Sequence, residues 1–306
     1  MKLLDTSSQH VHWWHKRAAE KYVALLFIAP AVVLIGVFKL LPLGSGVEQS
    51  FKVSPGLITP RWAGLTNYDR MWHDPLWHQA LRNSAKGLVV LPIYVIAPLV
   101  IAFLLAQRVP GWKVFRATYF VSFLLPPVMV GYMFGTILGQ DGPLNALLRT
   151  VGLGAFAQPW LGQLSSSMWA VYAVVFWAWF GLGVVIYTAG LATVPHESFD
   201  AAKVDGANFL QTLRFVVVPA MLPTMAYWGT ICATGMLLWL FPFIYSLTAG
   251  GPAGSSATPE FYIYQIFSQG DQGGYASALG ITLFGITAVL VTLVMRLTYR
   301  KGRSSS

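Results

Sequence analysis

The chain has 306 residues, 56% of them hydrophobic and only 10% charged, where soluble domains average roughly 45–50% and 25%. So few polar groups cannot cover a surface in water, which excludes an ordinary soluble enzyme and makes lipid the natural solvent. The net charge of +9 flanks apolar runs and forms no basic stripe interleaved with aromatics, a pattern of membrane orientation and not of nucleic-acid binding.

In chain order, a tail over residues 1–21 carries Lys16, Arg17 and Lys21 and runs into an apolar stretch over 22–42. At about 20 residues this stretch exceeds the roughly 7–15-residue apolar region of a signal peptide, and no small-x-small cleavage site closes it, so it reads as a retained first helix. A hydrocarbon core about 30 Å thick takes about 20 residues of helix. Five more stretches meet that length, near 85–107, 117–139, 166–190, 217–246 and 276–298. The expectation is an all-α integral membrane protein of about six transmembrane helices over 22–298, with a short tail at 299–306. Pro219, Pro223 and Pro242 in the fifth stretch predict kinks or ends outside the core.

The charge map agrees with this division. All eleven acidic residues, Asp74, Glu197, Asp200, Asp205 and Glu260 among them, fall outside the spans, as they must when an Asp at a helix centre costs roughly 2.5–3.5 kcal/mol. With a cytoplasmic N-terminus, thirteen of the twenty Lys and Arg residues fall on inside segments, including Lys16, Arg17, Lys21, Arg108, Lys203 and Arg214. Six fall outside, at Lys52, Arg61, Arg70, Arg82, Lys86 and Arg149, and Lys39 lies near the end of the first span. Both termini are therefore predicted to be cytoplasmic. The outer segments near 43–84, 140–165 and 247–275 are rich in Gly, Pro, Ser and Trp and are long enough to form small caps or docking surfaces.

Several chemistries have no residues to carry them. The single Cys232 lies in an apolar run, so no disulfide framework or thiolate metal cluster is available within the chain. The six histidines fall outside the spans, and His10, His12 and His15 read as a solvated tail; no metal-ligating set and no catalytic residue is expected. Carboxylates that would relay protons at membrane depth are missing from the spans. Aromatics are dense in the fourth and fifth spans. Most read as lipid-facing or interfacial anchors, while Trp177, Phe180 and Trp239 are the candidates for lining a pathway, since aromatic faces stack on the apolar faces of sugar rings.

The cytoplasmic connection from Leu191 to Phe215 is the longest of its kind. Pro195 suits the first turn of a helix, Glu197 and Asp200 favour its positive end, and Gly206 can take the left-handed conformation that ends it. A second helix is predicted to start near Asn208 and run into the fifth span. Small Ala201 and Ala202 permit close approach of another protein; the competing structural reading is an interfacial helix that packs only on its own bundle. The stretch Asp200-Ala201-Ala202-Lys203-Val204-Asp205-Gly206-Ala207, followed by Pro219 and Pro223, resembles the loop signature of binding-protein-dependent ABC importer permeases. Asp200 stands where that family usually has Glu, and the carboxylate is kept. Trp62-Ala-Gly-Leu-Thr-Asn-Tyr68, Asp74-Pro-Leu-Trp77, Leu247-Thr-Ala-Gly-Gly-Pro252 and Gly274-Tyr-Ala-Ser-Ala-Leu279 look like the carbohydrate, maltose-type branch.

This resemblance implies a type I ABC importer permease fold in the bacterial cytoplasmic membrane. It implies as partners a homologous second permease, two cytoplasmic ATPase subunits and an extracytoplasmic solute-binding protein. Glu197, Asp200, Ala201, Ala202, Asp205, Gly206 and Ala207 would form the ATPase-coupling element. No Gly-Lys dipeptide exists in the chain, so it has no Walker A loop, and ATP and Mg would be bound by the partner ATPases. A di- or oligosaccharide leads as solute, ahead of a sugar alcohol or a glycerol phosphate ester, since phosphate esters call for cations along the pathway. Two other classes compete: a secondary transporter driven by an ion gradient, and a membrane-embedded enzyme, which would need a Ser-His, Asp pair or His cluster at membrane depth.

Overall fold

The structure, a computed structural model, describes residues 23, 25–53, 59–107, 118–119, 121–270 and 272–303. The expected tail at 1–21, with its three histidines, lies outside the described residues. In chain order the elements are α1 (Leu25–Ser50), the two-stranded ribbon β1 (Lys52–Val53) and β2 (Arg61–Trp62), α2 (Thr66–His73) and α3 (Pro75–Ala106). There follow α4 (Pro127–Ile137), α5 (Pro143–Thr150), α6 (Ser167–Leu191), α7 (His196–Val204), α8 (Phe209–Leu238), α9 (Phe241–Leu247), α10 (Pro259–Ser268) and α11 (Gly273–Arg303). One π turn lies within α1 at Gly36–Leu40, and another within α8 at Leu213–Val217. The strands pair antiparallel, Lys52 with Trp62 and Val53 with Arg61.

Among the described residues five helices are long and apolar enough to cross a membrane: α1, α3, α6, α8 and the Gly273–Leu293 part of α11. The expected third span differs. Residues 118–119 and 121–124 are helical, the helix breaks at Leu125 and Pro126, and α4 follows, 11 residues long, because Pro126 and Pro127 both lack an N–H and Pro126 is held at φ −56°, ψ 133°, the extended conformation that a following proline enforces. The expected fifth span is split as well. Its helix stops at Leu238, Trp239 leaves helical geometry at φ −124° and ψ 12°, and α9 restarts with Pro242 in its first turn. Pro219 and Pro223 remain inside α8, next to the π turn that loosens its hydrogen-bond ladder.

The packing centre is the contact of α3, α6 and α8, where Leu99, Val171, Val175, Tyr187, Trp228 and Met236 are fully buried. Small residues let the backbones approach: a Cβ on Gly183 would stand 2.9 Å from Pro98, and one on Gly235 would stand 2.3 Å from the Trp179 ring. Lipid tails are as apolar as leucine, so shape and interhelical hydrogen bonds decide this association. Tyr94 of α3 donates to the Tyr172 carbonyl at 2.5 Å, Trp228 donates from Nε1 to the Tyr94 carbonyl at 2.9 Å, and Tyr172 donates back to the Asn83 carbonyl at 2.9 Å. A second, smaller core joins Trp77, Tyr262, Tyr275, Leu279 and Leu283 at the end of the bundle where α3 begins, the outer end in the orientation that the Lys and Arg distribution predicts. There α11 packs on α2, α10 and the end of α1, while α9 lies on α4.

Candidate functional site

The connection between α6 and α8 folds from local signals. Pro195 sits at the N-cap of α7 in an extended conformation, and Glu197 occupies the positive first turn. At the other end Gly206 takes φ +70°. The Gly206 amide donates to the Lys203 carbonyl at 3.1 Å and the Ala207 amide to the Ala202 carbonyl at 2.9 Å, the paired bonds of a Schellman turn. Asn208 then opens α8 with a reciprocal capping box: its side chain accepts from the Gln211 amide at 2.9 Å, and the Gln211 side chain accepts from the Asn208 amide at 2.8 Å.

This geometry divides α7 into two faces. Phe199 and Ala202 turn toward the bundle, where Phe103 at the end of α3 stacks on Phe199 at 6.2 Å and on Phe209 at 5.0 Å. Glu197, Asp200, Ala201, Asp205 and Gly206 are exposed, Ala207 is half-buried, and Lys203 pairs with Asp200 at 3.1 Å. Apolar Val204, Leu210 and Phe215 stand exposed beside them. A cavity of about 800 Å³ lies between α7 and the ends of α3 and α6, reached by Gln107, Thr188, His196 and Lys203. Across the helix, a smaller hollow of about 350 Å³ is lined by Ser198, Ala201, Asp205, Gln211 and Phe215.

The three candidate pathway aromatics are not gathered into one group. Trp177 is 36% exposed and meets the Phe134 ring of α4 at 5.1 Å. Phe180 is half-buried against Tyr119 and Phe176, each at 5.3 Å. Trp239, 55% exposed, marks the break between α8 and α9. Among the described residues no ring contact joins the three.

At the outer end the structure organises residues to which the sequence reading gave no role. One Asp74 oxygen accepts from the Leu76 amide at 2.9 Å and the Trp77 amide at 3.3 Å, capping α3. Its other oxygen accepts from Tyr262 of α10 at 2.6 Å and from Tyr275 of α11. Burial pushes the Asp74 carboxyl up, but the Tyr262 and Tyr275 hydroxyls and the two amides outweigh it and hold it below the usual range. Arg70 covers the Tyr275 ring at 4.0 Å and donates to Gln272 at 2.7 Å. Glu260 is the opposite case. Both its oxygens are buried and have no hydrogen-bond partner in good geometry. Burial pushes its carboxyl up to about 8, only partly offset by the nearby Phe241 and Leu240 amides.

Residues 56–301 match the family described as the binding-protein-dependent transport system inner membrane component. The chain belongs to this family. The lactose transport system permease protein LacF of Rhizobium radiobacter is 30% identical over 275 residues, covering 87% of this chain and 90% of that protein. The arabinooligosaccharides transport system permease protein AraP of Bacillus subtilis (strain 168) is 28% identical, covering 96% of this chain and 94% of that one. A crystal structure of a bacterial ABC transporter involved in the import of the acidic polysaccharide alginate shares the fold, with a TM-score of 0.81 at 20% identity over 94% of this chain and 99% of the other.

The protein is thus a multi-pass inner-membrane permease of the type I ABC importer fold, a transport component and not an enzyme. Within this permease the helix of α7, its closing turn and the cap of α8 were legible because their signals are local. The Asp74 cluster had one local signal, an Asp-Pro pair suited to a helix N-cap. Nothing near it in the chain points to Tyr262 and Tyr275, which lie 188 and 201 residues away.

Proposed function

We propose that this permease carries a neutral di- or oligosaccharide into the cytoplasm by alternating access, driven by ATP hydrolysis in separate subunits that grip α7. The supporting observation is the two-faced build of α7. Its exposed face offers Glu197, Asp200, Ala201 and Val204 to another protein, while Phe199 and Ala202 seat it on the ends of α3 and α8. A displacement of α7 is therefore passed to two transmembrane helices through packed rings. An ATPase that contacts α7 differently in its two states would bias the bundle between two arrangements.

In this reading α7 and both termini face the cytoplasm, in line with the distribution of Lys and Arg. A homologous permease completes the pathway, two ATPases bind ATP and Mg, and an extracytoplasmic solute-binding protein delivers the sugar. The sugar class is supported by relatives named for lactose and arabinooligosaccharides and by the lack of acidic residues in α3, α6, α8 and the Gly273–Leu293 part of α11. Trp177, Phe180 and Trp239 remain the proposed pathway contacts.

The test is uptake of labelled sugars into proteoliposomes holding the assembled importer. Omitting the ATPase, or substituting Ala201→Arg or Glu197→Arg, abolishes uptake while membrane insertion stays normal. Uptake that persists without the ATPase, or that collapses with an ionophore at constant ATP, overturns the proposal in favour of an ion-gradient transporter. Labelling of Ala201→Cys from the external face would overturn the orientation.

A further inference from the structure

Where α8 breaks and α9 begins, four aromatic rings of α9 and α10 close on one another. Phe241 stacks on Tyr245 at 5.8 Å and meets Tyr264 edge-on at 5.0 Å, and Tyr245 and Tyr264 stand edge-to-face at 6.0 Å. Phe261, 4% exposed, anchors the group from below. Tyr245 and Tyr264 keep 46% and 43% of their surface open. The rings are thus fixed on one side and bare on the other.

Tyr245 also forms the rim of an open depression of about 490 Å³, whose other walls include Leu161, Gly162, Ser246, Thr248 and Pro252. This volume falls within the roughly 300–1,000 Å³ of small-molecule sites. No Lys, Arg, His, Asp or Glu lines it. Ser246 and Thr248 spend their hydroxyl protons on the Pro242 and Ile244 carbonyls, at 2.7 and 3.3 Å, the Ser246 oxygen lies against Gly131 of α4, and the Thr248 oxygen accepts from Ser256 at 2.7 Å. At the rim, Ala249 is held at φ +48°, a left-handed conformation that a residue with a Cβ adopts only when its surroundings impose it.

We propose that Tyr245 and Tyr264, with the adjoining depression, form an outer subsite for a neutral sugar ring, separate from the pathway aromatics Trp177, Phe180 and Trp239. The chemistry selects the ligand. A preorganised aromatic face takes the apolar face of a pyranose or furanose ring, and the uncharged lining gives no compensation for burying a carboxylate or phosphate. This inference rests on the sugar-import reading above.

The test uses the assembled importer in nanodiscs, with lactose, arabinotriose and maltotriose as neutral probes and digalacturonic acid as an acidic one. Saturation-transfer NMR measures binding, and proteoliposomes measure ATP-dependent uptake. At least one neutral probe binds and is taken up. Tyr245→Ala and Tyr264→Ala each raise its apparent KM about tenfold with kcat little changed, and Tyr245→Phe and Tyr264→Phe largely restore it. Both alanine variants lowering thermal stability while leaving KM unchanged would make the tyrosines interfacial anchors and overturn the subsite, with sugar import intact. Preferential binding of the acidic probe overturns its chemical class. If no probe shows ATP-dependent uptake, the sugar-import reading falls and the subsite with it.

Discussion

At the inner end of the bundle in the proposed orientation, α7 leaves Glu197, Asp200, Ala201 and Val204 exposed and keeps only Phe199 and Ala202 for its own chain. At the outer end, Asp74 gathers two amides and two tyrosine hydroxyls from three helices. The difference teaches where each end finds its partners. The Asp74 cluster is satisfied within the chain and acts as a clamp. The inner end is folded by its own backbone signals and presents side chains that another protein can satisfy.

The contrast is broken most severely by Gly206→Val. At φ +70° a β-branched residue is strained although a Cβ meets nothing within 4 Å, so the Schellman turn and the aim of α7 are lost while the bundle is untouched. ATP-driven uptake falls to background with normal insertion and unchanged thermal unfolding, and Gly206→Asn retains most activity.

Next in size is Asp74→Ala at the outer end, which removes a helix cap and the acceptor for two hydroxyls. It lowers unfolding stability by roughly 3 kcal/mol, read by thermal unfolding in detergent, with Tyr262→Phe costing less. Because the folded Asp74 carboxyl is held below its unfolded value, its contribution is present above the unfolded pKa and lost as pH falls through the folded one. The gap between wild type and Asp74→Ala therefore narrows in acid.

Glu260→Gln sharpens the comparison in the opposite direction, since Glu260 is a buried outer-end carboxyl without a hydrogen-bond partner. Its carboxyl is raised from 4.5 to about 8 in the folded chain. The folded state holds the proton more tightly, so wild type loses stability as pH rises across that window. Glu260→Gln matches wild type below 4.5 and melts progressively higher as pH climbs to 8, a divergence that thermal unfolding in a pH series detects. Smallest is Tyr94→Phe, which keeps the ring and deletes one buried interhelical bond, to the Tyr172 carbonyl. Bonds of this kind average about 0.6 kcal/mol in membranes, so a small drop in melting temperature with uptake retained is expected.

Much of α7 could be read from the chain because Pro195, Gly206 and Asn208 act on backbone within a few residues of themselves. The proline pair at 126–127 was equally local, yet its apolar surroundings gave a continuous hydropathy signal across the break. The gathering of Tyr245, Phe261 and Tyr264 around Phe241 had no sequence signal at all, since the rings come from two short helices in different segments.

Composition and hydropathy alone determined that this chain lives in lipid, and roughly where it crosses, because transfer of a residue from water to hydrocarbon depends on the residue and not on its neighbours. Which apolar helix lies at the centre was decided only by tertiary structure. The spans of α1 and α6 have mean hydropathies of 2.3 and 2.0, yet none of the first and 50% of the second is buried. Lipid and protein interior are equally apolar, so the choice falls to small residues that admit close approach and to hydrogen bonds between distant helices, which hydropathy does not record.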